Sequence, residues 1–203
     1  MAIRIERVGK AVADWFDQAA RQHGAFEVNL VDLAEMALPI FDEPHHPRQQ
    51  NYQHDHTKRW AASVDSADAY VLVVPEYNFG PTPALVNALN YVYNEWNYKP
   101  VAFVSYGGMS GGIRSVQTTK LTLTTLKMMP LIEQVAVAMV NQHLDNGVFK
   151  PEPVHEEAAT PRPCRRPPGG ACRRRHESAP ARRSGRSHPG PPERRNRCPD
   201  PRG

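Results

Sequence analysis

Two short loops hold the residues of this chain best suited to grip a ligand. Pro75-Glu76-Tyr77-Asn78-Phe79 follows an apolar run over residues 69–74. Ser105-Tyr106-Gly107-Gly108-Met109-Ser110-Gly111-Gly112 closes a second run that begins at Pro100. Glycines let main chain approach a flat ligand closely, and the phenols of Tyr77 and Tyr106 can stack on a ring or seal the edge of a core. His45, His46, His54 and His56 invite a metal reading. Their spacing matches no tight zinc pattern and no cysteine joins them, so no metal is expected. No side chain stands out as a general acid or base.

The elements that position these loops follow from the pattern. An apolar run without polar alternation is what a parallel strand covered on both faces requires. Residues 69–74 are such a run, residues 83–95 look helical, and residues 100–105 repeat the strand. Strand, helix, strand makes a right-handed crossover unit. Ligands of such sheets sit beyond the carboxyl ends of the strands, where both loops fall.

Upstream, Val8, Val12, Trp15, Phe16, Ala19 and Ala20 share one face of a helix over residues 8–22, stopped by His23-Gly24. Residues 26–33 alternate and predict a strand. Residues 34–52 are irregular, with Pro39, Pro44 and Pro47. Residues 57–65 predict a short helix with Trp60 and Val64 on one face, and Trp15 and Trp60 are assigned to the core. Residues 118–126 carry threonines that favour a strand, but their place after the glycine loop favours a helix, which is the reading adopted. Residues 132–140 predict the last strand.

The chain of 203 residues is long enough for one ordinary domain, and its charge is unevenly spread. Residues 1–150 hold 12 Lys+Arg against 15 Asp+Glu, whereas residues 151–203 hold 13 Arg, no Lys and 6 acids. Cys164, Cys172 and Cys198 all lie in the second part, so the first needs no disulfide. From Pro151 onward there is no Leu, Ile, Phe, Tyr or Trp. Such a segment cannot bury enough apolar surface to offset its ordering entropy. Residues 160–203 are therefore expected to be a disordered Arg/Pro/Gly-rich tail, and their GC-rich codon types suggest a shifted reading frame. The tail lacks Lys and interleaved aromatics, which argues against nucleic acid. No run is long enough to span a membrane, and a cytoplasmic protein is the expectation.

Pro75-Glu76-Tyr77-Asn78, with Leu85-Val86-Asn87-Ala88-Leu89 behind it and Ser105-Tyr106-Gly107-Gly108 after the next strand, resembles the NADPH-dependent FMN reductase family. The resemblance spans roughly residues 4–149. It implies an α/β, flavodoxin-like parallel sheet with helices on both faces, here occupying residues 1–159. The family opens with an apolar strand and a Gly-Ser/Thr-x-Arg phosphate loop. This chain enters that pattern at Arg4, with Arg7 and Gly9 at late loop positions, so the first, central strand is expected to be largely missing and FMN to be held weakly or not at all.

The resemblance also implies an FMN-dependent oxidoreductase. It would pass electrons from NADPH or NADH through the flavin to a small acceptor: a quinone, free flavin, an azo or nitro compound, or a metal oxyanion. The cofactor-binding residues it implies are Arg4, Arg7, Pro75, Glu76, Tyr77, Asn78, Phe79, Ser105, Tyr106, Gly107, Gly108, Ser110 and Gly111. A homodimer or dimer of dimers is implied as well, with the helix over 83–95 and the following Asn94, Trp96, Asn97 and Tyr98 as its interface. The alternative is a flavin-free relative acting as a binding module or without activity.

Overall fold

The computed structural model describes residues 8–160. Arg4, Arg7 and the Arg/Pro/Gly-rich segment after Thr160 lie outside the described residues.

Three parallel strands form the main sheet in the order β1-β2-β3: β1 is Tyr70–Pro75, β2 Pro100–Tyr106 and β3 Met129–Val137. Their crossovers are helices, α4 (Pro83–Tyr91) between β1 and β2 and α5 (Ile113–Thr125) between β2 and β3. α1 (Val8–His23), the single turn α2 (Leu33–Met36) and α3 (Asp55–Asp65) precede the sheet. A two-stranded ribbon, β4 (Leu144–Asp145) with β5 (Val148–Phe149), and α6 (Pro153–Ala159) follow it.

The helices divide over the two faces of the sheet, and this divides the core. On one face Trp60, Val64, Leu89, Trp96, Phe103 and Leu123 close one apolar cluster. On the other, Val12, Val104, Val135, Val137 and Phe149 close a second, with Trp15 and Val73 packed against it. Adjacent residues Leu72 and Val73 go to opposite clusters, as period-two alternation in a doubly covered strand demands. α4 starts as its sequence dictates, with Thr82 accepting from the Leu85 amide and Pro83 in the first turn.

Several sequence expectations shift. The helix over 83–95 ends at Tyr91, and Asn94–Trp96 is a separate 3-10 turn. Trp96, assigned to an intersubunit surface, is buried. Its ring meets Trp60 and Tyr70 edge-on and its Nε1 donates to the Leu89 carbonyl. The last strand begins and ends three residues earlier than expected, at Met129 and Val137. The largest departure is residues 26–33. They form no strand: the run is irregular up to Leu33, where α2 begins, and Phe26 and Leu30 stand exposed. Alternation supplies a strand's faces but not its partner. β1 is the edge strand on that side, and among the described residues no strand lies against its outer edge.

Candidate functional site

The two loops meet at the carboxyl edge of the sheet. Pro75 and Tyr106 are paired in register, and the Glu76 amide donates to the Tyr106 carbonyl at 3.2 Å. β1 then ends in a tight turn in which Tyr77 and Gly80 exchange backbone hydrogen bonds of 3.1 and 3.0 Å. Its two central residues, Asn78 and Phe79, are left-handed, with φ of 50° and 67°. Asn tolerates that conformation, but for a ring-bearing residue it is strained. The strain is offset by a neighbour: the Arg114 guanidinium lies 3.8 Å from the centroid of the Phe79 ring.

The glycine loop is tied down at three places. The Gly107 amide donates to the Val137 carbonyl, the Val140 amide donates to the Gly107 carbonyl, and the Met139 amide donates to Gly108 at 2.8 Å. Ser105 is fully buried and its hydroxyl donates to the Gly111 carbonyl at 2.7 Å. It therefore holds the loop from beneath rather than offering itself to a ligand. The glycines also have separate tasks. A Cβ on Gly112 (φ 83°) would sit 2.9 Å from the Ser105 Cβ and from the Tyr106 backbone, and one on Gly111 would crowd the backbone at Val137–Ala138. Gly108 faces open space, with no atom within 4 Å of its would-be Cβ.

Glu76 joins the loops. Its side chain is 6% exposed. It accepts from the Ser110 hydroxyl at 2.8 Å, from the Arg114 amide at 3.1 Å and from Arg114 Nε at 2.6 Å. Gly112, the residue preceding α5, has no side chain to cap the helix, so Glu76 satisfies one of its orphan amides from 38 residues away. Burial alone would push the carboxyl up. The hydrogen bonds from Arg114 and Ser110, together with the Arg114 charge, hold it below the ordinary carboxyl value instead.

What remains at the surface is a flat lip. Tyr77, Phe79 and Met109 are exposed, Met109 most of all. The amides of Asn78, Phe79, Gly108 and Met109 donate to no other described residue. Tyr106 turns the other way: a side chain on Gly9 would run into its hydroxyl, so it props the first turn of α1. That first turn carries no acidic residue, and helix N-termini favour anions. Unpaired amides beside an apolar platform, with an anion-compatible helix start next to them, fit the flat ring system and phosphate of FMN.

Of the implied binding residues, the structure brings Pro75, Glu76, Tyr77, Asn78, Phe79, Ser105, Tyr106, Gly107, Gly108, Ser110 and Gly111 into one cluster. Met109 and Gly112 were named within the glycine loop but not as binding residues; Arg114 was missed, and only its position just past that loop hinted at it. The histidines fall elsewhere. His54 and His56 stack on each other, and His56 Nε2 meets Asp42 at 3.0 Å.

A family model described as NADPH-dependent FMN reductase matches residues 2–142. An NAD(P)H-dependent FMN reductase of Schizosaccharomyces pombe is 34% identical over 152 residues, covering 74% of this chain and 76% of its own. A second, from a Nectria species, is 34% identical over 133 residues, covering 63% of this chain and 66% of its own. An NADPH azoreductase of a Bacillus species is 32% identical over 114 residues, covering 55% of this chain and 62% of its own. Among solved structures, the flavoenzyme NAD(P)H:(acceptor) oxidoreductase of Paracoccus denitrificans superposes with a TM-score of 0.61 at 17% identity, covering 78% of this chain and 87% of that one.

Proposed function

Because the chain belongs to the NADPH-dependent FMN reductase family, flavodoxin-like oxidoreductases that use FMN with NAD(P)H as electron donor, we propose that the lip built on Tyr77–Phe79 and Gly107–Met109 holds the flavin ring. We further propose that the acceptor is a small molecule: a quinone, free flavin, an azo or nitro compound, or a metal oxyanion. When bound, FMN supplies the hydride and electron chemistry. The residues hold and shield it: amides of both loops bond the ring edge, Gly108 leaves room for its face, and Tyr77 and Met109 keep water off. The observation that carries this reading is the convergence of two loops whose exposed amides, at Asn78, Phe79, Gly108 and Met109, have no partner among the described residues and are open to a ligand. The likeness to an NADPH azoreductase supports an azo-type acceptor among these.

Assembly as a homodimer in the cytoplasm is part of the same proposal. Exposed Tyr98, not buried Trp96, is its candidate contact near the end of α4. No helix among the described residues is long and apolar enough to cross a membrane.

Titration of riboflavin and of FMN, followed by quenching of flavin fluorescence, tests the ring site apart from any phosphate contact. Both are expected to be quenched. Tyr77→Ala should weaken riboflavin by roughly three- to tenfold, the ~0.5–1.5 kcal/mol of an aromatic contact. A riboflavin signal indifferent to Tyr77 would overturn the assignment, and NADPH or NADH oxidation with each acceptor class then ranks donors and acceptors.

A further inference from the structure

His155 of α6 is 5% exposed, and its Nδ1 accepts a hydrogen bond from the Glu152 amide at 3.1 Å. A ring nitrogen that accepts carries no proton, so the imidazole is neutral, with its proton on Nε2. The helix uses that state: α6 opens on Glu152, and this bond closes its first turn.

The ring is wedged among others. The His143 ring stands perpendicular to it at 5.1 Å, and Phe149 of β5 is tilted against it at 5.9 Å. Phe149 is buried and in turn meets Trp15 of α1 at 5.1 Å. Burial holds His155 below its ordinary value of 6.5 and His143 adds to the effect, while Glu152 opposes it. The other charged groups of the elements around it do not shift it: Glu156 and Glu157 of α6, and Glu133 of β3. The charges of the ribbon and of α1 are paired among themselves, Lys150 with Asp145, Lys10 with Asp14 and Arg21 with Asp17.

His143 also belongs to the anchorage of the glycine loop. It closes the 3-10 turn Val140–His143. The Val140 amide donates to the Gly107 carbonyl at 3.0 Å, and the Met139 amide, just ahead of the turn, donates to the Gly108 carbonyl at 2.8 Å. At the other end the His143 carbonyl accepts from the Lys150 amide at 2.7 Å, which ties the turn to the ribbon.

We propose that the His143–His155 contact is an acid-sensitive latch on the glycine loop: with His155 neutral, α6 and the ribbon hold the 3-10 turn in place, and a proton on His155 releases them. Protonation converts Nδ1 from acceptor to donor, so that it faces the Glu152 amide donor to donor. The new charge also lies in an apolar wedge beside a second imidazole. Because the folded ring titrates below 6.5, its contribution is complete above that value and is lost as pH falls through the folded pKa. The latch concerns backbone anchorage and stands whether or not the lip binds flavin.

The test is amide hydrogen exchange of the full chain, expressed as protection relative to the free peptide rate. Between about pH 7.5 and about pH 5, protection of the Met139, Val140 and Lys150 amides is expected to fall roughly tenfold or more, while that of Phe103 and Val104 in β2 holds. His155→Gln keeps a side-chain acceptor at the third helical position but takes no proton, so its profile should be flat. In the wild type, the His155 ring resonance should titrate below 6.5, in step with the loss of protection. Constant wild-type protection would overturn the latch, and so would a fall that persists undiminished in His155→Gln. A parallel loss in β2 would show global acid unfolding and overturn it as well. Should His155→Gln lack β2 protection at about pH 7.5, the wild-type comparison decides alone: a ring midpoint that departs from the exchange midpoint overturns the proposal.

Discussion

Glu76→Ala is expected to loosen both loops at once and to lower stability by about 2–3 kcal/mol. Removing one partner of a buried pair costs more, ~3–5 kcal/mol, but Arg114 is half exposed and recovers water, which discounts the effect. The Arg114 amide and the Ser110 hydroxyl lose their acceptor, and Phe79 loses the placement of the guanidinium above it. Thermal unfolding should fall by roughly 5–10 °C for a domain of this size. Glu76→Gln keeps the shape and one acceptor and should cost about half as much.

The pH dependence has a definite sign. The folded carboxyl titrates below its ordinary value of 4.5. Its contribution is therefore fully present above that value and is lost as pH falls through the folded pKa. Wild type should lose stability from about pH 4.5 downward, and Glu76→Gln should flatten that part of the profile. A Glu76→Gln profile parallel to wild type in this window would show that the carboxylate does not tie the loops.

The second large effect separates two glycines four residues apart. Gly112→Ala is expected to destabilise by about 2–4 kcal/mol. The left-handed backbone contributes ~1–2 kcal/mol, and overlap with the backbone of Tyr106 adds the rest. Gly108→Val should change stability by less than about 0.5 kcal/mol, because its Cβ meets nothing. The same valine fills the space assigned to the flavin face. Riboflavin affinity should drop tenfold or more, about 1.4 kcal/mol. Chemical denaturation and flavin titration of the two variants check this. A Gly108→Val protein that binds riboflavin as wild type does would remove Gly108 from the site.

Both strand–loop units were legible because their signals are local. An unbroken apolar run, a proline and a cluster of glycines each act within a few residues. Residues 26–33 were misread because alternation reports faces, whereas pairing depends on a neighbour far away in sequence. Glu76 with Arg114 was illegible for the same reason, since no spacing rule links positions 38 apart. Ser105 was legible as part of the loop but not in its direction: only the pleat shows that it points inward to Gly111. The glycines were read as openings for a ligand. Gly108 is one, but Gly111 and Gly112 are small because backbone already occupies the place of a side chain.

The borrowed cap on α5 has a consequence for the order in which the molecule assembles. α5 opens on a residue without a side chain and holds Thr118, Thr119, Thr122, Thr124 and Thr125, poor helix formers; in the final state the hydroxyls of Thr118, Thr119, Thr124 and Thr125 bond back to the backbone one turn earlier. Such a segment does not nucleate by itself. Its first turn becomes favourable only when Glu76 arrives, which requires β1 and β2 already to be in register. The ligand lip and the helix behind it therefore form together and late, after a long-range contact has closed. In reverse, the lip and the first turn of α5 are expected to open together, because Glu76 ties them to each other.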